Sequence, residues 1–270
     1  MYGVLPMKTL FQYFTGCLIA GLVCLMVMPS WAAIGFQSIT DGTNNAGATT
    51  HTTSVTVSAG ADLIMIACVQ SSGNAGVPAT GVVYNGSEAF TAITSDSGVW
   101  SGSIEANVSL WYLLNPTVTT ANAVVTFSTA GNDRTEIASY VVLTGASASQ
   151  PDASNHFNNN AGSTTISTTV TTVAANSWIV DCALSDLNGT PTVGANQTQR
   201  TNGVVGAASN SRLISTVDGL ASPGAETMDW TQTSAPWTTS AASFAPAVAA
   251  AVSSGGNNCG ALMLLGVGGC

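Results

Sequence analysis

The chain has 270 residues, with thirteen acidic side chains against four basic ones and a formal net charge of −9 at pH 7. Such a balance argues against nucleic acid as a partner, because phosphates need a basic footprint, and against an anionic lipid surface. Only 6% of residues are charged, but 46% are hydrophobic and fall in short runs, so the low charge does not signal disorder.

The first element is an export signal. Lys8, the only lysine, precedes an apolar run from Cys17 to Met28, and Pro29-Ser30-Trp31-Ala32 follows it. A basic start, an apolar stretch and small residues at the exit predict a cleavable signal peptide over residues 1–32, cut after Ala32, with Met7 the more usual start. The run is too short for a transmembrane anchor. Cys17 stands before the run rather than after it, which argues against lipidation. Four cysteines remain after cleavage: Cys68, Cys182, Cys259 and Cys270. An oxidising compartment would permit disulfides among them. The smaller reading keeps Cys68 and Cys182 as core residues, and the sharper one joins them in a bond between two halves of the chain.

From there the pattern is all strand. Ser54–Ser58 alternates with period two, and Leu63–Val69, Gly81–Tyr84, Phe90–Thr94, Val108–Leu113, Ala123–Ser128 and Ile137–Thr144 follow. The second half offers Ser167–Thr172, Trp178–Leu184, Arg212–Val217, Glu226–Thr231 and Ala241–Ala245. Asn85-Gly86, Asn115-Pro116, Asn188-Gly189 and Ser222-Pro223-Gly224 mark turns between them. The expectation is an all-β, antiparallel two-sheet sandwich, jelly-roll or Ig-like, over residues 33–247.

The sequence also echoes itself. Ser54–Cys68 resembles Ser167–Cys182, Val124–Ser128 matches Thr227–Thr231, and Ala138-Ser139-Tyr140 matches Ala242-Ser243-Phe244. These echoes define pseudo-repeats at about residues 50–145 and 163–247, either in one body or in two tandem units. The stretch from Thr144 to Ser163 lacks a long linker, which favours one body. Alternation assigns Trp178, Val180 and Cys182 to a buried face and Asp181 to water, and by alignment buries Ile64, Ile66 and Cys68. Trp111 and Tyr112 are adjacent on one strand, so one points outward unless both sheet faces are covered.

Val82-Val83-Tyr84-Asn85-Gly86, Leu110–Pro116 and Val141–Gly145 come in an order that resembles jelly-roll-like sandwich domains of exported bacterial surface proteins and phage appendages. The resemblance implies a fold and no catalytic residue.

No catalytic constellation stands out. His51 lies among threonines and His156 among asparagines, both expected in solvated loops, and there is no G-x-S-x-G elbow. Glu88, Glu105, Asp133 and Glu136 are the carboxylates a glycosidase would draw on, but Asp133–Glu136 reads as a surface turn with a local ion pair. Asp41, Asp186 and Asn188 place oxygen ligands in tight turns where calcium could sit, the one cofactor in view. Trp100, Trp230 and Trp237 are candidate platforms for a polysaccharide, against the alternative that they fill the core.

After Ala247 an Ala/Ser/Gly-rich tail over residues 248–270 ends in a short apolar piece. It resembles the beginning of a surface-sorting signal, or a small loop closed by Cys259 and Cys270. The leading expectation is a non-enzymatic, secreted or cell-surface β-sandwich serving adhesion or structural assembly. A carbohydrate-binding module is the alternative and a hydrolase the third.

Overall fold

The computed structural model describes residues 33–248 apart from 45–46, 74–76, 102–103, 129–132 and 207–209. The signal peptide expected over residues 1–32, Cys259, Cys270 and the tail from 249 onward therefore lie outside the described residues. In chain order the strands are β1 (Gly35–Asp41), β2 (Thr50–Thr56), β3 (Ile64–Gly73), β4 (Ala79–Tyr84), β5 (Glu88–Ala89), β6 (Thr91–Ser101), β7 (Ile104–Leu114) and β8 (Thr120–Phe127). They continue as β9 (Asp133–Thr144), β10 (Ala153–Thr171), β11 (Ser177–Ser185), β12 (Thr192–Val193), β13 (Thr198–Val205), β14 (Asn210–Leu220) and β15 (Ala225–Phe244). All pairings are antiparallel, so the all-β sandwich class expected from the alternation holds.

There are three sheets rather than two. One runs β1-β9-β3-β7-β6, a second β2-β8-β4-β5, and the third β10-β15-β11-β14-β13 with β12 also on β15. The first two face each other across a core of Val55, Met65, Tyr84, Val125, Phe127, Tyr140 and Val142. Two turns show how this is wired locally. Asn85 and Gly86 both take positive φ at the β4–β5 hairpin. Gly42 passes so close to β9 that a Cβ would meet the Ala138 carbonyl oxygen at 2.5 Å.

The third sheet makes a sandwich of its own. β10 and β15 pair along almost their whole length, but their register breaks between Asn159 and Thr165. Beyond the break the far halves of both strands fold over the sheet. Ile166 and Trp230 pack on Ala183 and Leu213, while Val170 and Met228 pack on Ile179, Val217 and Ala241. The halves correspond strand for strand. β1-β9-β3-β7-β6 matches the near half of β10, the near half of β15, β11, β14 and β13; β2-β8-β4 matches the far halves of β10 and β15 with β12. Each repeat thus starts earlier than the echoes indicate, at β1 and at Ala153. The echo of Ala138–Tyr140 in Ala242–Phe244 fails in register: Tyr140 enters the first sandwich core, whereas Phe244 faces the other sandwich.

The two sandwiches lie back to back within one compact unit, Ala32–Ala247. Ile64, Ile66, Cys68, Val108, Leu110, Val141 and Leu143 meet Trp178, Val180, Cys182, Leu184, Ile214 and Phe244 in a shared core. β3 is consequently buried at every position, because its odd residues face the first core and its even residues face the interface. Both faces of β7 are covered for the same reason, so Trp111 leans toward the first core and Tyr112 toward the interface. Burying each such aliphatic side chain contributes roughly 1.5–3 kcal/mol.

At the centre of the interface Cys68 and Cys182 form a disulfide across 114 residues of sequence. Closing a loop that long removes enough unfolded-state entropy to stabilise the fold by about 5 kcal/mol in the chain-entropy picture. The Cys68→Ser, Cys182→Ser double variant should lose a substantial part of that in urea unfolding. The wild-type mass should rise by about two hydrogens on reduction. An unreduced mass with both thiols free would remove the bond.

Candidate functional site

Three places concentrate polar chemistry: the rim of the interface, the core of the second sandwich, and the open edges of both sandwiches. At one end of the interface Asp41, at the end of β1, reaches β13 and β14. Its carboxylate accepts hydrogen bonds from Thr201 Oγ1 at 3.0 Å and from Arg212 Nη2 at 3.2 Å. Burial pushes the Arg212 guanidinium below its usual value, and Asp41 works in the opposite direction. Asp41, expected as a calcium ligand, thus has an arginine of the same chain as a charged partner. Nearby, the Arg200 guanidinium lies 3.9 Å from the Phe36 ring centroid, and its Nη2 is 3.1 Å from Asp218 Oδ2.

At the opposite end Asp96 of β6 meets β10. Asn158 Nδ2 donates to both of its oxygens at 3.1 and 3.2 Å, and His156 Nδ1 stands 3.4 Å away. His156 is thus a strand residue at a sandwich–sandwich contact, not a loop residue. His51 differs from expectation more sharply. It sits on β2, 2% exposed, edge-on to Phe127 at 6.0 Å.

The core of the second sandwich holds Asp181. Alternation puts it on the side expected to face water, but the far halves of β10 and β15 cover that side, so Asp181 is buried. Its Oδ2 accepts from Trp230 Nε1 at 2.8 Å and from Ser215 Oγ at 3.3 Å, and Oδ1 accepts from Thr239 Oγ1 at 3.4 Å. Ser215 Oγ also reaches Gln197 Oε1 at 3.0 Å, and Gln197 Nε2 donates to Asp229. Burial raises the Asp181 carboxyl to about 7, with the Asp229 charge adding to it, even though three donors favour the ionised form.

The remaining expected residues scatter. Trp100, Trp230 and Trp237 are 5%, 0% and 2% exposed, so none offers a ring face to a sugar; they fill the cores as large aromatics in a sandwich do. Asp186 donates its backbone N–H to Pro236 O at 2.9 Å beside the turn that holds Asn188. Among the described residues no group of three His, Cys, Asp or Glu side chains is placed to hold a metal. Glu88 accepts from the backbone and hydroxyl of Thr117. Burial pushes its carboxyl up, but those hydrogen bonds and one from Asn85 outweigh it and hold it below the usual value. Glu136 is not on a surface turn: it is fully buried on β9, where its carboxylate accepts the Ala48 N–H at 3.1 Å.

The aromatic rings that do reach solvent are others. Trp111, with Ile93, Asn107, Ser109 and Pro78, lines a groove of about 270 Å³ at the open edge of the first sandwich, and its Nε1 donates to Ser109 Oγ. Phe157 is 55% exposed and lines a second groove, of about 400 Å³, along β10. The sequence signal for Phe157 was faint, a single aromatic between His156 and Asn158 in an asparagine-rich run.

Because Asp181 titrates higher in the folded chain than its ordinary 3.8, its protonated form favours the native state. The stabilisation is complete below about pH 4 and is lost as the pH rises through about 7. Urea unfolding of wild type and Asp181→Asn from pH 3 to 9 should show the wild-type advantage shrinking between about pH 4 and 7 and level above it; parallel curves would contradict it. No family model matches this chain, and neither does any curated protein or solved structure.

Proposed function

We propose that this chain is an exported, non-enzymatic β-sandwich protein with an adhesive or structural role at a cell surface. The observation that carries the reading is the buried Cys68–Cys182 bond between the two sandwiches. Such a bond forms and persists in an oxidising compartment, the destination to which the signal pattern of residues 1–32 also points. Among the described residues no helix is long and apolar enough to cross a membrane.

The use of polar groups supports the same reading. Asp41, Asp96, Asp152 and Asp181 each hold strands together. Asp152 Oδ2, for example, accepts from the Val173 and Ala174 N–H groups and from the Ser177 and Ser243 hydroxyls. Of the carboxylates a hydrolase would draw on, Glu88 lies on β5, Glu105 on β7, and Asp133 and Glu136 on β9. The sheet edges favour assembly. β2 ends the second sheet with the sequence Thr-His-Thr-Thr-Ser-Val-Thr, without a lysine, acid or proline to block pairing with another strand.

Two measurements test this. The full-length chain expressed in a bacterial host should yield a product that begins at Ala33 outside the cytoplasm; an uncleaved cytoplasmic product would refute export. The mature protein should self-associate with concentration in sedimentation or bind cell surfaces. Thr52→Lys with Ser54→Lys, both on the exposed side of β2, should abolish self-association without unfolding. A mature chain that stays monomeric and adheres to nothing would overturn the proposal.

A further inference from the structure

The groove along β10 has a construction of its own. Asn155, Phe157 and Asn159 alternate onto the inner face of the second sandwich, opposite Ala241, Thr239 and Trp237 of β15. His156 and Asn158 point the other way, toward Asp96. The groove is therefore the open side of the sandwich, where β10 is the edge strand of both layers. Each end is tied. Asn155 Nδ2 donates to Thr169 O at 2.8 Å across the layers, and Trp237 Nε1 donates to Ser163 Oγ at 2.8 Å beside the bend.

Between these ties lies an exposed aromatic ring backed by a second one. Phe157 and Trp237 have centroids 5.7 Å apart with their planes at 44°, so the indole holds the phenyl ring from behind while most of the phenyl stays open. The rest of the lining is amide and hydroxyl, and no lining residue carries a charge. Thr168 contributes a buried hydroxyl that has no hydrogen-bond partner. A volume of about 400 Å³ falls within the range of about 300–1,000 Å³ typical of small-molecule sites.

We propose that this groove binds a neutral saccharide, with the apolar face of one sugar ring stacked on Phe157 and its hydroxyls bonded to Asn159 and Thr168. The chemistry selects this ligand class. A ring face with alternating C–H and O–H groups needs an aromatic surface beside neutral donors and acceptors, and the groove supplies both. An anionic sugar or a nucleotide would enter an acidic protein with no cation to receive it. The platform is not one of the three buried tryptophans; Trp237 serves only as the support of the ring that faces out. The inference does not rest on the adhesive reading, since an assembly unit needs no such groove and the two fail separately.

The test uses the disulfide-bonded mature chain and ligand-observed NMR with calorimetry. The probes are cellohexaose, maltohexaose, xylohexaose, mannohexaose and chitohexaose, with hexagalacturonate as the charged control. At least one neutral oligosaccharide should bind. Phe157→Ala should weaken that binding by about tenfold or more, while Phe157→Tyr, which keeps the ring, should bind like wild type. Phe157 is largely exposed, so neither variant threatens the fold, and circular dichroism confirms this for each. The proposal is overturned if none of the neutral probes binds, if hexagalacturonate binds as well as they do, or if Phe157→Ala leaves affinity unchanged.

Discussion

The structure depends on one sheet being covered on both sides. The β1-β9-β3-β7-β6 sheet cannot leave either face in water, because β3 carries an unbroken buried run from Ile64 to Gly73. One face is covered by the β2-β8-β4-β5 sheet, the other by the second sandwich. The same demand shapes the partner: β11 is buried throughout, and so needs the folded-over halves of β10 and β15 on its far side. The Cys68–Cys182 bond joins the two strands that carry this constraint. It fixes their contact where apolar packing alone is non-directional.

With two apolar faces per central strand, polar side chains in the interior have to be matched one by one. Gln70 Nε2 donates to Ala183 O at 2.7 Å across the interface, and Ser240 Oγ donates to Val108 O at 3.1 Å. The Asp181 network reaches through Ser215 and Gln197 to Asp229, so a carboxyl in an apolar core links β11, β14 and β15 with the loop before β13. The rim is treated alike at both ends: an aspartate from one sandwich is held by polar side chains of the other, Asp41 by Thr201 and Arg212, Asp96 by Asn158. These paired anchors agree with the strand-for-strand correspondence of the two halves.

Much of the fold was legible in the chain. Every run read as a strand from its alternation overlaps an observed strand, and Asn85-Gly86 makes the expected turn. The misses include β1, β13 and the first half of β10. The β10 miss has a plain cause: the strand begins Ala-Ser-Asn-His-Phe-Asn-Asn-Asn, with no β-branched residue, and what makes it a strand is its pairing with Thr238–Ser243 of β15. The candidate sites were less legible. Large aromatics and aspartates look alike in sequence whether they face water or a neighbouring sheet. Trp230, by sequence a candidate platform or a core residue, and Asp181, by alternation a solvated carboxylate, are hydrogen-bonded to each other in the core.

What the sequence determined by itself is the strand content, the antiparallel class, the duplication, and the faces of Cys68 and Cys182, because period-two alternation is a local property of the extended chain. What only the tertiary structure decided is how many layers cover each face. That choice buried Asp181, His51 and three tryptophans, gave Asp41 an arginine, and left Phe157 open along β10. Alternation states which side of a sheet a residue takes. Whether that side meets solvent depends on strands distant in sequence, 49 residues for Trp230 over Asp181 and 171 for Arg212 beside Asp41, and no local pattern contains that information.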